Sequence, residues 1–309
     1  MAISFTIPSP LQKIEEPLFK EKNVEVYIKR DDEIHPEISG NKWRKLRLNI
    51  EKFHSGKYDA LLTFGGAFSN HIAATAALCG NISIPSIGII RGDELIVDSN
   101  KTLQQAHQYG MQLIFVSRDE YNQRYERIYH EELRTRFKNI LIVPEGGANY
   151  LGALGAADSI KELPFEPTHI YLAMGTGTTS AGCLLGAENA TVIGVPALKG
   201  GDFLRKDIEE LVQLVLLEKN WTEEKMKQLQ IESDFHFGGY GKHTNELIQF
   251  ITQFYQQHQI KLDHVYTAKM MYAFYSNLKA DKIKPNSKVV VLHTGGLQGL
   301  TSIKEQLIF

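Results

Sequence analysis

Short apolar runs alternate with longer helix-like segments along most of the chain. Residues 60–64 and 86–90 are apolar runs of strand length, whereas residues 69–78 and 99–109 have the composition and spacing of helices. Strands that alternate with helices in this way predict βα units, in which helices cover both faces of a parallel sheet. The pattern therefore predicts an α/β protein.

The predicted elements extend from residue 24 to residue 292. The first 37 residues are expected to form a loop or arm and one strand, at 24–29. Later strands are predicted at 60–64, 86–90, 112–116, 140–143, 169–173, 191–195 and 288–292. Helices are predicted at 39–53, 69–78, 99–109, 118–137, 151–160, 178–187, 203–217, 222–229, 245–258 and 266–277. Residues 144–149, Pro-Glu-Gly-Gly-Ala-Asn, interrupt the alternation and predict a crossing between two domains.

Length and charge narrow the class of protein. The 309 residues suffice for one or two domains, and 43% hydrophobic with 23% charged residues is an ordinary globular composition. The net charge of -2 provides no strong electrostatic field for nucleic acid or for an anionic membrane surface. We therefore expect neither partner, and no apolar stretch is long enough to span a bilayer.

The cysteines and the N-terminus indicate the compartment. Cys79 and Cys183 fall in apolar segments of predicted helices, so we expect reduced core residues and not a disulfide or a metal site. The N-terminus lacks a basic region followed by a long apolar run, so no signal peptide is expected. These features predict a cytoplasmic protein without a bound metal.

Residues 38–46, Ile-Ser-Gly-Asn-Lys-Trp-Arg-Lys-Leu, include a lysine with unusual surroundings. Ser39 is a good N-cap for the predicted helix, and Gly40 allows the backbone to come close to a ligand. Lys42 then falls in the first turn, where the helix dipole disfavours an ammonium ion. A lysine that loses its proton readily is a nucleophile for carbonyl groups. Taken alone, the basic run is more typical of a solvated helix face.

A glycine-rich loop, residues 174–182, follows a predicted strand and begins a helix. Backbone N–H groups in such a loop, together with the helix dipole, bind phosphate. A dinucleotide site is an alternative, but Gly182 comes too late for the Gly-x-Gly-x-x-Gly order, and no lysine completes a Walker-type loop. An ordinary structural turn is the other alternative.

Two further segments follow predicted strands. In residues 64–71, Phe-Gly-Gly-Ala-Phe-Ser-Asn-His, the backbone donors and the Ser69 hydroxyl suit a carboxylate, although an ordinary N-cap explains the same residues. Residues 293–296, His-Thr-Gly-Gly, end the last strand, and ligands collect at the carboxyl ends of strands in α/β sheets.

The segment Ser39-Gly40-Asn41-Lys42, with Arg44-Lys45-Leu46 after it and Lys29-Arg30-Asp31-Asp32 before it, resembles a lysine motif of known enzymes. These are the pyridoxal-phosphate enzymes related to 1-aminocyclopropane-1-carboxylate deaminase and D-cysteine desulfhydrase. The resemblance covers nearly the whole chain. It implies a two-domain fold of type II, like the tryptophan synthase β subunit, in which each domain is a mostly parallel sheet flanked by helices. It also implies a large domain of residues 1–47 and 150–309, a small domain of residues 48–149, and a homodimer.

The same resemblance assigns the site residues. The lysine of the motif carries pyridoxal 5'-phosphate as a Schiff base, and the glycine-rich loop holds the phosphate. Asn70 bonds the pyridine hydroxyl, Ser69 binds the substrate carboxylate, and Thr294 lies beside the pyridine nitrogen. The implied catalytic residues are Lys42, Ser69, Tyr240 and Tyr266. The implied cofactor-binding residues are Lys42, Asn70, Gly175, Thr176, Gly177, Thr178, Thr179 and Thr294.

Three comparisons with the family bear on the substrate. Relatives usually have glutamine where this chain has Phe68, and an Arg-Gln pair where it has Ala73-Ala74, so the carboxylate side is more apolar here. At the position of Thr267, which the resemblance places near the pyridine nitrogen, the deaminase branch has glutamate and the desulfhydrase branch has threonine. The resemblance thus implies a small amino acid as substrate, with α,β-elimination of D-cysteine or a close D-amino acid to pyruvate and ammonia. The alternatives are 1-aminocyclopropane-1-carboxylate deaminase and a non-catalytic metabolite-binding relative.

Overall fold

The computed structural model describes residues 3–38, 40–297, 300 and 307. Its strands are β1 (Leu11–Ile14), β2 (Glu25–Lys29), β3 (Ala60–Gly66), β4 (Ser86–Arg91), β5 (Gln112–Val116), β6 (Ile140–Val143), β7 (His169–Met174), β8 (Thr191–Pro196), β9 (Leu229–Ile231) and β10 (Lys288–Leu292). Its α-helices are α1 (Pro17–Glu21), α2 (Asn41–Gly56), α3 (Asn70–Asn81), α4 (Lys101–Gln108), α5 (Arg118–Asn122), α6 (Arg127–Phe137), α7 (Tyr150–Lys161), α8 (Thr178–Gly186), α9 (Leu204–Leu216), α10 (Lys219–Lys227), α11 (Asn245–His258) and α12 (Thr267–Lys279).

The strands form two sheets. The larger sheet has the order β1-β2-β10-β7-β8-β9, and the smaller has the order β5-β4-β3-β6. All neighbouring strands are parallel except β1 and β2, which are antiparallel. This is the α/β architecture of mostly parallel sheets that the sequence predicts. The larger sheet takes strands from both ends of the chain, whereas the smaller takes strands from residues 60–143 only. The exact domain boundaries stay a prediction.

The central strands are apolar along their length because helices cover both faces of each sheet. In β10, Val289, Val290, Val291 and Leu292 are fully buried. Val289 and Val291 pack against α11 and α12 on one face of the larger sheet, whereas Leu292 packs with residues of α8 and α9 on the other. Burial of this kind stabilises each large aliphatic side chain by about 1.5–3 kcal/mol.

Three elements differ from the prediction. The N-terminal arm contains β1 and α1 in addition to β2. The single helix predicted at 118–137 is divided into α5 and α6, because the chain turns at residues 123–126. These four residues include no glycine or proline, so nothing in the sequence marks the turn. The strand β9 was not predicted, since its three residues are too short to produce a pattern.

The beginning of α2 also differs. Ser39, the predicted N-cap, lies outside the described residues, and the residue that precedes α2 is Gly40 with φ of 64°. A Cβ atom on Gly40 would lie 1.9 Å from the Thr294 carbonyl oxygen, so only glycine allows this approach. The lysine segment is thereby held against the end of β10.

A buried ion network fixes α2 from its other side. Arg44 donates to both Asp31 carboxylate oxygens at 2.8 Å and to the two Glu162 oxygens at 2.9 and 2.8 Å. Lys29 adds a 2.6 Å bond to Glu162, and the Ser9 hydroxyl donates to Asp31 at 2.6 Å. Burial raises the pKa of Glu162, but the bonds from Arg44 and Lys29 outweigh it and lower the pKa to about 2. The network joins the N-terminal arm, α2 and α7.

Both cysteines are free and buried, and their burial agrees with the prediction that they are core residues. Across the described ranges, no helix is both long and apolar enough to cross a membrane. Nor do those ranges contain a group of three or more His, Cys, Asp or Glu side chains placed to hold a metal ion.

Candidate active site

A cavity of about 1000 Å³ is lined by residues that follow the carboxyl ends of strands in both sheets. Such edges are the usual ligand sites of α/β proteins. The predicted site residues that line it are Lys42, Ser69, Asn70, Gly175, Thr176, Gly177, Thr179, Tyr240, Tyr266 and Thr294. Thr178 does not line it, because its buried hydroxyl is hydrogen-bonded to that of Thr176 at 2.9 Å. The fold therefore brings together side chains that are up to 252 positions apart, from Lys42 to Thr294.

Lys42 lies in the first turn of α2 and is linked to the glycine-rich loop through its neighbour. Its Nζ donates to Asn41 Oδ1 at 2.8 Å, and the Asn41 amide donates to Thr179 Oγ1 at 3.0 Å. Burial lowers the pKa of Lys42 to about 8, although the negative charge of Asp263 acts in the opposite direction. The main cause of the lowered pKa is loss of solvation, and not the helix dipole that the sequence suggests. A substantial fraction of Lys42 is thus a neutral amine near physiological pH.

Lys42 should therefore react as an amine at lower pH than the exposed lysines do. With formaldehyde and cyanoborohydride, we expect methylation of Lys42 in the cofactor-free protein to rise about tenfold per pH unit and to level off above about pH 8. Peptide mass spectrometry measures the extent at each lysine. Exposed lysines should continue to gain reactivity up to the ordinary pKa of about 10.4. A Lys42 profile that follows theirs would contradict the lowered pKa.

The glycine-rich loop and the start of α8 form a cradle for an anion. Gly177 has φ of 74°, a left-handed conformation that glycine adopts at no cost, and α8 begins at the next residue. Lys45 is buried in the same cavity, and its side-chain nitrogen makes no hydrogen bond or ion pair with any described residue. Burial and the nearby Lys42 charge hold the pKa of Lys45 well below its ordinary value. The Ser180 hydroxyl is also buried without a partner among the described residues.

These residues fit the phosphate of pyridoxal phosphate. A phosphate group would give Lys45 the negatively charged partner that it lacks. It would also accept hydrogen bonds from Ser180 and from the N–H groups at the start of α8. Lys45 and Ser180 were not predicted as site residues. The signal for Lys45 was its spacing, since residues three apart share one side of a helix. The signal for Ser180 was absent, because its lack of a partner arises from tertiary packing.

The Ser69 turn also lines the cavity. Ser69 Oγ accepts from the Ile72 N–H at 3.2 Å, so the side chain is the N-cap of α3, as the structural alternative predicted. A Cβ atom on Gly296 would lie 3.0 Å from the Asn70 amide nitrogen, so this turn of the smaller sheet meets the end of β10. Ser69 keeps its hydroxyl proton for donation to a ligand.

Two tyrosines form another wall. The Tyr266 hydroxyl is 3.3 Å from that of Tyr240, and their rings meet edge to face at 78° with centroids 6.0 Å apart. A Cβ atom on Gly175 would contact the Tyr266 ring at 3.5 Å, so Tyr266 also flanks the glycine-rich loop. Burial raises the pKa of Tyr266 well above its ordinary value, so this tyrosine stays a proton donor.

Thr267 does not reach the cavity. It is fully buried, and its hydroxyl donates to Asp263 Oδ1 at 2.8 Å and accepts from the Asp263 N–H at 2.8 Å. The Asp263 carboxylate also accepts from the backbone N–H groups of residues 265, 266 and 267, each at 2.9 Å. The resemblance suggests a role beside the pyridine ring for Thr267, but its side chain points towards Asp263 and not into the cavity. The carboxylate behind it already has four donors.

Fold and cavity together define an α/β enzyme with a lysine and an anion cradle in one cavity. The chain belongs to the family described as pyridoxal-phosphate dependent enzyme, which matches residues 4–295. Pyridoxal phosphate is thus its cofactor, and the predicted fold, cofactor and enzymatic nature are confirmed.

Relatives at family level carry two kinds of name. A protein of Pyrococcus abyssi named putative 1-aminocyclopropane-1-carboxylate deaminase is 29% identical over 300 residues, which cover 94% of this chain and 89% of that protein. An Arabidopsis thaliana protein named bifunctional D-cysteine desulfhydrase/1-aminocyclopropane-1-carboxylate deaminase, mitochondrial, is 27% identical over 323 residues, 97% of this chain and 79% of the relative. A solved structure of an ACC deaminase homologue is similar with a TM-score of 0.78 and 26% identity, over 97% of this chain and 94% of that one.

Proposed function

We propose that the enzyme catalyses α,β-elimination from a small amino acid, with D-cysteine or a close D-amino acid preferred, and releases pyruvate and ammonia. The proposal is supported by one observation, that three features line the same cavity. They are the Lys42 amine with its lowered pKa, the glycine-rich loop that suits an anion, and the Ser69 turn, whose hydrogen-bond donors suit a carboxylate. The names of the relatives support the reaction class, since one of them combines desulfhydrase and deaminase activities.

The residues that would hold the cofactor follow from the site. Lys42 would form its covalent link, the loop from Gly175 to Thr179 would hold the phosphate with Lys45 and Ser180, and Asn70 and Thr294 would contact the ring. When bound, pyridoxal phosphate withdraws electrons from the α-carbon of the amino acid. The chain's own contribution is to position the groups and to transfer the proton.

Lys42 is the base in this proposal. Once the amine of the substrate has replaced Lys42 on the cofactor, the freed Lys42 amine would take the α-proton of the substrate, and its lowered pKa of about 8 favours the neutral form that this step needs. The Cβ–S bond then breaks, and sulfur leaves with the electron pair as thiolate, which needs no acid because a thiol pKa is about 8.5. Water hydrolyses the released enamine to pyruvate and ammonia. Tyr240 and Tyr266 would orient the substrate from the wall of the cavity that they form together.

Ring opening of 1-aminocyclopropane-1-carboxylate is the second candidate, since the relatives' names favour it equally. That reaction breaks a carbon–carbon bond and needs strong electron withdrawal, which a carboxylate holding a proton on the pyridine nitrogen would supply. Thr294 offers only a hydroxyl, and the Asp263 oxygens are already occupied by four donors. Elimination of a thiolate makes the smaller demand, and we therefore favour it.

A substrate panel tests the choice. We expect pyruvate from D-cysteine and β-chloro-D-alanine, and at least about a hundredfold slower release of 2-oxobutanoate from 1-aminocyclopropane-1-carboxylate, which corresponds to about 3 kcal/mol in the barrier. Both 2-oxo acids are measured by liquid chromatography after derivatisation. The L-enantiomers are the control for stereochemistry. Ring opening at a rate comparable to elimination would make the deaminase the better assignment.

We also propose a homodimer in the cytoplasm, on the resemblance and on the reduced cysteines. Light scattering coupled to size-exclusion chromatography measures the assembly, with a mass near twice 34.9 kDa as the expected result.

A further inference from the structure

Arg91 lines the cavity but has no part in the site described so far. It is the last residue of β4, and two other arginines line the same cavity. Arg118 is paired with Glu94 at 2.5 Å, and Arg124 is paired with Glu145 at 2.7 Å. The Arg91 guanidinium, by contrast, makes no hydrogen bond or ion pair with any described residue, although the backbone of Arg91 is paired within the sheet. Among the three guanidinium groups, it is the one left free for a ligand.

The guanidinium of Arg91 stands beside the turn that carries Ser69. β3 and β4 place Arg91 directly opposite Gly66. A Cβ atom on Gly66 would lie 4.0 Å from Arg91 Nη2 and would meet no other described atom within 4 Å. The Ser69 N–H donates to the Gly66 carbonyl at 3.0 Å, so Gly66 and Ser69 belong to one turn. The space next to Gly66 is therefore open, and the Arg91 guanidinium is the cation that borders it.

The turn itself offers few polar side chains. Phe68 is 76% exposed, and Ala73 and Ala74 on the following helix are buried and apolar. Ser69 can donate its hydroxyl proton, but its oxygen already accepts from the Ile72 N–H. The turn thus supplies hydrogen-bond donors but no positive charge. Arg91 supplies the positive charge.

We propose that Arg91 binds the α-carboxylate of the substrate, together with the Ser69 hydroxyl. This rests on the proposed function only in requiring that the substrate is an amino acid. A guanidinium donates two parallel hydrogen bonds to a carboxylate, which fixes the orientation of the substrate as well as its charge. The Arg91 guanidinium carbon lies 6.0 Å from the centre of the Tyr121 ring, a contact that orients the side chain without using its donors.

Calorimetric titration of the holoenzyme with alanine and alaninamide tests the proposal. The two ligands differ at the carboxylate, and neither has a leaving group at Cβ, so no elimination occurs. Both enantiomers are titrated, and the tighter one is used. We expect the wild-type enzyme to bind alanine at least about tenfold more tightly than alaninamide. In Arg91→Gln this preference should fall to about twofold or less, while Arg91→Lys should restore part of it.

Arg118→Gln is the matched control, since it removes a guanidinium that lines the same cavity but is paired with Glu94. It should leave the preference unchanged. Arg91 is exposed at a strand end, so its variants are expected to fold, and the melting temperature with bound cofactor checks this. A wild-type enzyme without preference for alanine, or an Arg91→Gln variant that retains it, would overturn the assignment.

Titration with glutamate and with glutamine tests whether Arg91 binds the α-carboxylate or a carboxylate on the substrate side chain, because the two ligands differ only in the side-chain group. If Arg91→Gln weakened glutamate alone and left alanine unchanged, the α-carboxylate assignment would be wrong. Failure of the elimination proposal is distinguishable, because absence of pyruvate from D-cysteine leaves the alanine titration intact.

Discussion

Lys42→Ala is expected to abolish the covalent bond between the protein and pyridoxal phosphate and to lower turnover by about a thousandfold. The reason is that, in the proposed mechanism, Lys42 supplies both the amine that binds the cofactor and the base, with a pKa lowered to about 8. Borohydride reduction of the wild-type holoenzyme, followed by peptide mapping, should place the cofactor on Lys42. The variant should give no reduced adduct.

Lys45→Met is the matched control for this experiment. Lys45 lies on the same helix, lines the same cavity and has no acidic partner among the described residues. We expect the covalent bond at Lys42 to persist and the affinity for the cofactor to fall about tenfold, because the phosphate loses a cation. The cofactor-free variant should be no less stable, since a buried unpaired cation is removed. A reduced adduct on Lys45 in the wild type would refute the assignment of Lys42.

Arg44→Met is expected to destabilise the fold by about 3–5 kcal/mol. Arg44 is 2% exposed and Asp31 is 0% exposed, so removing the guanidinium leaves buried carboxylates without their main partner. Urea denaturation followed by circular dichroism measures the loss. Arg47→Met is the control on the same helix, where the partly exposed pairs with Asp158 and Glu51 should contribute about 1 kcal/mol or less.

The pH dependence of this difference has a definite sign. The pKa of Glu162 is lowered from 4.5 to about 2 in the folded protein, so its stabilising contribution is present above about pH 4.5 and is lost as the pH falls towards 2. The gap in stability between wild type and Arg44→Met should narrow over that window. A gap that stays constant down to pH 3 would show that the guanidinium acts through packing and not through Glu162.

The sequence predicted those elements best whose ends are marked by local chemistry. The strands at 112–116, 140–143 and 288–292 agree with β5, β6 and β10 because apolar runs there are bounded by turn residues. The division of residues 118–137 into two helices could not be predicted, since charged residues continue through the turn at 123–126. The order of strands within each sheet is a long-range property that no local pattern encodes.

The candidate site shows the same limit at the level of side chains. Ten predicted residues line the cavity. Most of them fall in the lysine motif or in segments that follow predicted strands, where residue type and position suffice, whereas Tyr240 and Tyr266 were assigned by the resemblance alone. Thr178 and Thr267 are turned away by bonds to Thr176 and Asp263, which only the packed chain shows. Arg91 was missed for a related reason. Its importance lies in the lack of a partner, and pairing among three arginines is decided by tertiary structure.

The position of β10 has a consequence for how the protein can be made. β10, the last strand of the described residues, lies in the middle of the larger sheet, between β2 from the N-terminal arm and β7. During synthesis, the backbone donors and acceptors of β2 and β7 that face β10 have no partner until residue 292 has left the ribosome. The cavity is also incomplete until then, because Thr294 and the two following glycines line it. From the synthesis of β7 onwards, a nascent chain of this enzyme therefore exposes two strand edges, the state in which chains are prone to aggregate and depend on chaperones.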